Sequence, residues 1–278
     1  MYRKKTRVIV GLTTFHNEYL DISVPGLARL GREFVLIIYN DNADTKVSDK
    51  HIRQLGYRGK LFVINGACNL GQFQARIKIL EFAKNKNLNA DWFVFVDDDD
   101  ILTRMDIPNV SSDKFAVIQN AVVMRTRLID VMRVMRDAGN FSIDNENVYL
   151  SRPNIGMSGT LVRFGVALQF AKVMGAIQQP ISDIEESLNF CMTADLIMWS
   201  ALNIIAQYNN DPVTPIYMDS VNYIKIDIDS STTKYGKRRH PIKNAEQQIA
   251  RVIDRTDAVV RDALFAMNAA PAGQEPDA

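Results

Sequence analysis

The run Trp92-Phe93-Val94-Phe95-Val96, followed at once by Asp97-Asp98-Asp99-Asp100, constrains this chain more than any other stretch. Five apolar residues, all aromatic or β-branched, are too few for a helix and suit a strand buried on both faces. Such strands belong to parallel α/β sheets, whose ligands bind outside the carboxyl ends of the strands. Four adjacent carboxylates at that edge repel one another unless something positive neutralises them. Hard oxygen donors of that charge suit Mg²⁺ or Mn²⁺, which commonly take substrate phosphates as further ligands. The competing reading is a solvated acidic turn capping the next helix; attachment to a buried strand favours the ligand-binding one.

Similar apolar runs come before it. Val8–Leu12, Phe34–Tyr39 and Leu61–Ile64 read as earlier strands, separated by helical patterns over Tyr19–Gly31, Lys50–Leu55 and Asn69–Ala83. Pro25 falls inside the first helix, which therefore starts near Ser23 or is kinked. The alternation predicts an α/β fold with right-handed crossovers and a mainly parallel central sheet flanked by helices. Further strands are expected over Phe115–Met124, Val148–Leu150 and Val221–Ile226, and helices over Arg127–Asp137 and Thr193–Ala206, with an acidic helix start at Ser182–Glu186. A stripe of Ile249, Val252, Ile253, Val259, Val260, Leu264 and Met267 predicts one C-terminal helix over 244–268. That helix is expected to pack on the chain's own core, with a homodimer seam as the weaker alternative. The tail 271–278 is expected to be disordered.

With 33 Lys and Arg against 32 Asp and Glu, the formal charge of +1 supplies no global field toward nucleic acid or an anionic membrane. The two cysteines, Cys68 and Cys191, make neither a disulfide framework nor a zinc ligand set, and a reducing cytoplasm is the simplest compartment. The basic start, Met1 to Arg7, leads into an apolar run too short for a signal-peptide core, and no stretch is long enough to span a bilayer. Any membrane association is expected to be peripheral.

In order and spacing, these pieces resemble the family 2 glycosyltransferases, enzymes of the glycosyltransferase-A fold that move a sugar from a nucleotide diphosphate. The resemblance spans roughly residues 6–235 and is densest between Val8 and Asp100. It implies a single domain over 1–270, with a nucleotide-binding half at 1–100, an acceptor half at 101–235 and the C-terminal helix. It also implies that the loop Thr13-Thr14-Phe15-His16-Asn17-Glu18 cradles the base, with Thr13, Phe15, Asn17 and Glu18 at the nucleotide. Where relatives carry two aspartates, this chain has Asn40-Asp41, so Asp41 becomes the acceptor for a uracil-like N–H.

The segment Asn69-x-Gly71-x-x-x-Ala75-Arg76 looks like the family's helix start, with Asn69 and Gly71 near the nucleotide and Arg76 ordering the acidic loops. The resemblance assigns Asp97 to the ribose side and Asp99 to the metal, with Asp98 at the variable nucleotide-site position. It makes Asp195 the base and Gly156, Ser158 and Gly159 the face toward donor and acceptor sugars. Ala194 stands where relatives have a glutamate, and Asp183, Glu185 and Glu186 lie upstream as substitutes. Asp227 stands near the place of a family histidine and could join Asp97 and Asp99 as an oxygen ligand. The basic run Lys234–His240 would close on a diphosphate or remain a surface patch.

The implied activity is an inverting, Mn²⁺- or Mg²⁺-assisted transfer from a nucleotide-diphosphate sugar, UDP-sugar favoured, to a saccharide or lipid-linked hydroxyl acceptor. Two alternatives stand beside it. One is an inactive nucleotide-sugar-binding protein of the same fold. The other is a sugar nucleotidyltransferase, disfavoured because Thr13–Glu18 contains no glycine.

Overall fold

The first half of the chain lays down four parallel strands: β1 (Val8–Thr14), β2 (Val35–Asn40), β3 (Lys60–Asn65) and β4 (Trp92–Asp97). The computed structural model describes residues 8–107, 116–125, 148–151, 156–176, 194–209, 216–227 and 245–269. Alternate residues of β4 serve opposite faces, as the pleat requires. Trp92, Val94 and Val96 face a cluster with Val10, Leu12 and Ile38, covered by Leu20, Val24 and Leu27 of α1 (Leu20–Arg29) and Ile52 of α2 (Asp49–Gln54). Phe93 and Phe95 face the other cluster, with Ile9, Val35 and Ile37. There α3 (Gly71–Asn85), α4 (Phe164–Ala176), α5 (Ala194–Tyr208) and α6 (Ala245–Ala269) contribute Phe73, Phe170, Ile197 and Leu264. This double burial explains why β4 reads as an unbroken apolar run. Pro25 lies within α1 without ending it, so the helix begins before Ser23.

Beyond β4 the chain adds β5 (Ile101–Leu102), β6 (Ala116–Arg125), β7 (Val148–Ser151), β8 (Leu161–Arg163) and β9 (Ile216–Asp227). Among the described residues, nine strands form one sheet in the order β3-β2-β1-β4-β8-β6-β9-β5, with β7 on β6. The sheet is parallel from β3 to β4 and mixed beyond, since β8 runs antiparallel to both β4 and β6 while β9 is parallel to β6. The late strand is therefore longer than the apolar stretch Val221–Ile226 suggests. Its pairing with β6, not its hydrophobicity alone, sets its length.

Val260 and Leu264 of α6 are buried in the main core, which answers the stripe's first reading; Phe265, on another face, is 73% exposed. The expected helices at Arg127–Asp137 and Ser182–Glu186, the basic run and the tail lie outside the described residues.

One turn holds the second half of the sheet against the first. Gly159 has φ +81° and donates its N–H to the Phe95 carbonyl at 2.8 Å, with the Tyr223 ring against it. A Cβ at Gly159 would lie 2.7 Å from that ring. Gly159→Ala is expected to cost about 1–3 kcal/mol through combined backbone strain and overpacking. A urea midpoint equal to the unsubstituted protein's would show that the ring has room to yield.

Candidate functional site

Because β1, β2 and β4 are parallel, their carboxyl ends meet at one edge, with Thr13 in register with both Tyr39 and Asp97. Asp97 ends β4 and is held from three sides. Its Oδ1 accepts from Gln72 Nε2 and from the Arg76 guanidinium, each at 2.9 Å, and its Oδ2 accepts from the Ser158 hydroxyl at 2.8 Å. Its backbone N–H donates to the Tyr223 hydroxyl at 3.2 Å. Gln72 and Arg76 are one helical turn apart at the start of α3, so both side chains leave the same face.

Arg76 is only 1% exposed and joins distant segments. One terminal nitrogen donates to Asp97 and to the Ser158 hydroxyl (2.8 Å), the other to Asp195 Oδ1 at 2.8 Å and to the Met198 sulfur at 3.5 Å. Its plane lies 5.2 Å from the Phe95 ring centre, and its Nε has no hydrogen-bond partner among the described residues. Burial alone would favour loss of its proton, but the charges of Asp97 and Asp195 outweigh that and hold its pKa above the ordinary value. The structure thus sets Arg76 beneath the acid cluster, as a brace between β4 and α5.

The four aspartates differ sharply. Burial opposes the charge of Asp97, but Arg76, Lys225 and the Ser158 hydroxyl hold its pKa below the usual carboxylate range. Asp98 accepts from the Thr14 hydroxyl at 2.6 Å and the Phe15 N–H at 3.3 Å, yet burial lifts its pKa to about 7, with Asp97 adding to the rise. Burial and the neighbouring Asp98 and Asp97 lift Asp99 to about 8. No other described residue donates a hydrogen bond to the Asp99 carboxylate. Asp100, 5% exposed, accepts the Ile226 N–H at 2.9 Å; burial and Asp99 raise its pKa well above normal. It reaches β9 because the chain returns through β5, which pairs with β9.

The neighbouring loops are braced by amides. Asn40 donates to the carbonyls of Asn42 (3.2 Å) and Thr45 (2.6 Å) and to Asn65 Oδ1 (3.0 Å). An aspartate could make none of these bonds, which gives asparagine a structural reason to stand there. Asp41 accepts the N–H groups of Leu70 and Gly71, each at 2.8 Å, one on each carboxylate oxygen. The anion at the start of α3 is therefore the chain's own. Asn69 also accepts from Gly71, at 3.0 Å. Thr13 is buried, Phe15 is 41% exposed, Asn17 donates to Thr45 at 2.6 Å, and Glu18 lies exposed 3.6 Å from His16.

On the sugar side, Ser158 is fully buried within the Arg76 brace, and the Gly156 carbonyl accepts the Thr160 hydroxyl at 3.2 Å. Asp195 is 37% exposed at the first turn of α5, directly after Ala194. Asp227 ends β9, but its side chain lies outside the described residues, as do Asp183, Glu185 and Glu186. Among the described residues, no group of three or more His, Cys, Asp and Glu forms a ready metal cage. No described helix is long and apolar enough to cross a membrane.

Of the residues at this edge, the sequence singled out neither Gln72 nor Tyr223 nor Lys225, and it placed Thr14 in the base loop without a role of its own. Gln72 was findable, four residues before Arg76; Tyr223 and Lys225 come from across the sheet and carry no local signal.

Residues 12–112, a little over a third of the chain, match the model of glycosyl transferase family 2. The matched segment holds the acid edge and the start of α3. No curated protein sequence matches the chain. Solved structures share its outline only loosely. The mannosyltransferase PcManGT from Pyrobaculum calidifontis, in complex with GDP-Man and Mn²⁺, aligns at 11% identity and TM-score 0.43, covering 98% of this chain and 77% of its own. The apo-form glycosyltransferase GlyE of Streptococcus pneumoniae TIGR4 aligns at 12% identity and TM-score 0.39, over 95% of this chain and 64% of GlyE. A nucleoside-diphosphate-sugar pyrophosphorylase from Vibrio cholerae RC9 aligns at 11% and 0.36, over 61% and 78%. Likenesses this loose carry no argument about substrate.

Two outcomes test the site's electrostatics. Arg76→Met strips Asp97 of its buried partner and is expected to cost about 3–5 kcal/mol in urea denaturation at neutral pH, with Arg76→Lys restoring only part. An unchanged midpoint would show that solvent reaches Asp97 freely. The folded-state pKa values of Asp98 and Asp99 lie above the ordinary carboxylate value, at about 7 and 8. Their stabilising contribution is thus complete below the unfolded value and lost as pH rises through the folded ones. In EDTA the thermal midpoint is expected to fall between about pH 6 and pH 8, and Asp99→Asn to flatten the fall. A midpoint that rises over that interval would contradict the assignment. Asp97 behaves oppositely, its contribution being lost on acidification.

Proposed function

We propose that the chain is an inverting, metal-assisted glycosyltransferase that takes a nucleotide-diphosphate sugar, UDP-sugar favoured, and glycosylates a saccharide or lipid-linked hydroxyl. The observation that carries this reading is the shared guanidinium of Arg76, bonded to Asp97 at 2.9 Å and to Asp195 at 2.8 Å. One buried cation thereby sets the strand-end acid and the candidate base beside one another, as a transfer between two substrates needs.

In this reading Asp195 takes the proton of the acceptor hydroxyl while that oxygen bonds to the anomeric carbon. The bond from that carbon to the diphosphate oxygen breaks, the nucleoside diphosphate leaves with the electron pair, and the configuration inverts. Arg76 fixes one Asp195 oxygen and leaves the other for the acceptor. Phe15, Asn17 and Glu18 line the base side with Thr13, while Asn69, Gly71 and Asp41 approach it from α3. A second lone pair on either Asp41 oxygen remains for a uracil N–H. Asp97 and Asp98 serve the ribose side, and Gly156 and Gly159 give the sugars close approach to backbone.

The donor set fits a divalent cation of the Mg²⁺ or Mn²⁺ kind. Such ions are commonly held by one or two carboxylates and the substrate's phosphates, without an all-protein cage. Asp99 is the ligand best suited, since no other described residue bonds its carboxylate and its neighbours oppose its charge. Asp97 retains acceptor capacity on Oδ2, and Asp227 is the third candidate. When bound, the ion neutralises the leaving diphosphate.

Calorimetric titration of UDP and GDP, with and without Mn²⁺, tests binding, and release of nucleoside diphosphate from a donor panel tests turnover. Manganese is expected to tighten binding, and alanine at both Asp97 and Asp99 to remove that gain. Asp195→Asn is expected to keep nucleotide affinity and to lose about 100-fold or more in turnover. Nucleotide binding with no turnover on any donor and acceptor would favour the inactive binding protein instead. Formation of nucleotide sugar from a nucleoside triphosphate and a sugar phosphate would favour the nucleotidyltransferase.

A further inference from the structure

Lys225 has no part in the reaction described so far, yet β9 delivers it to the acid edge. Along that strand Tyr223 reaches Asp97 with its hydroxyl at 3.2 Å, while Ile224 and Ile226 are buried. Alternate residues of a strand share a face, so Lys225 lies on the face of Tyr223, two residues further toward the end of β9. At that height the Ile226 N–H is tied to Asp100 Oδ1 at 2.9 Å, which fixes the strand against the aspartate turn. Lys225 is half-buried, and its charge acts on Asp97, Asp99 and Asp100, in the last two only partly opposing the rise that burial and neighbouring acids cause. Among the described residues no carboxylate comes within ion-pair distance of its ammonium. A cation held close to several acids but paired with none is placed to receive another anion.

We infer that Lys225 is a phosphate-binding residue, whose ammonium donates to the terminal phosphate of a nucleoside diphosphate seated at Asp97–Asp99. The inference rests on the nucleotide-sugar reading above and goes beyond it. A diphosphate approaching four aspartates meets repulsion, and a lysine beside them supplies fixed positive charge before any metal arrives. Lysine binds phosphate as a point charge and can do so from a strand without the planar fork of arginine. Binding of the diphosphate therefore keeps a metal-independent component.

The test is calorimetric titration of nucleoside, nucleoside monophosphate and nucleoside diphosphate, in the uridine and guanosine series, into the full chain in EDTA and in Mn²⁺. The unsubstituted protein is expected to bind diphosphate measurably in EDTA. Lys225→Met is expected to weaken diphosphate binding there about tenfold, the worth of one charge-assisted hydrogen bond, and to leave the nucleoside unchanged. Lys225→Arg should retain most of the affinity. An equal loss for nucleoside and diphosphate would overturn the inference in favour of a purely structural counter-charge, and so would no loss at all. If Lys225→Met fails to fold, Lys225→Gln carries the same comparison. Failure of the unsubstituted chain to bind any diphosphate, even with Mn²⁺, would overturn the nucleotide-sugar reading itself.

Discussion

The buried guanidinium of Arg76 is the interaction on which the rest of the site depends. It is held by Asp97, Asp195 and Ser158, residues 21, 119 and 82 positions away in sequence. Placing an arginine in an interior is costly unless its donors are met, and here two carboxylates and a hydroxyl meet them. Its partners are correspondingly constrained. Asp97 stays ionised despite burial, while Asp98, Asp99 and Asp100 absorb the repulsion that follows. The acid cluster is thus a graded arrangement, with one firmly charged member and three that hold protons readily.

The parallel half of the fold was legible because its signals are local. β4 reads as a strand from five apolar residues, and its double burial follows from both clusters drawing on it alternately. The segment from Asn69 to Arg76, through its resemblance to the family's helix start, likewise pointed to the beginning of α3. What sequence could not supply was the far side of the sheet. The antiparallel insertion of β8 between β4 and β6 goes with Gly159 packing under Tyr223, a contact between the turn before β8 and a distant strand. The bond of Asp100 to β9 carries no local signal for the same reason, since its partner lies 126 residues away.

The departure at Asn40, with Asp41 beside it, illustrates how a motif can be read only partly from its letters. Asn40 looked like the loss of a carboxylate, yet its amide donates three bonds that shape the loop beside it. Asp41 kept the carboxylate, but both of its oxygens already receive the first N–H groups of α3. The residue type is fixed by the backbone it supports as much as by any ligand. Only the coordinates separate those duties.

The brace around Arg76 also divides the duties of the segments that meet at this edge. Helix α5 meets the strand-end acids through Asp195 and Met198, both bonded to Arg76, whereas Asp97 is bonded from α3, β9 and the turn before β8. A partial opening that lifts α5 away would free Asp195 and leave Asp97 gripped by three other segments. Proteins open in such cooperative pieces well below their global stability. Loss of α5 from the edge would take away the carboxylate of Asp195 and leave that of Asp97 bonded from its other neighbours.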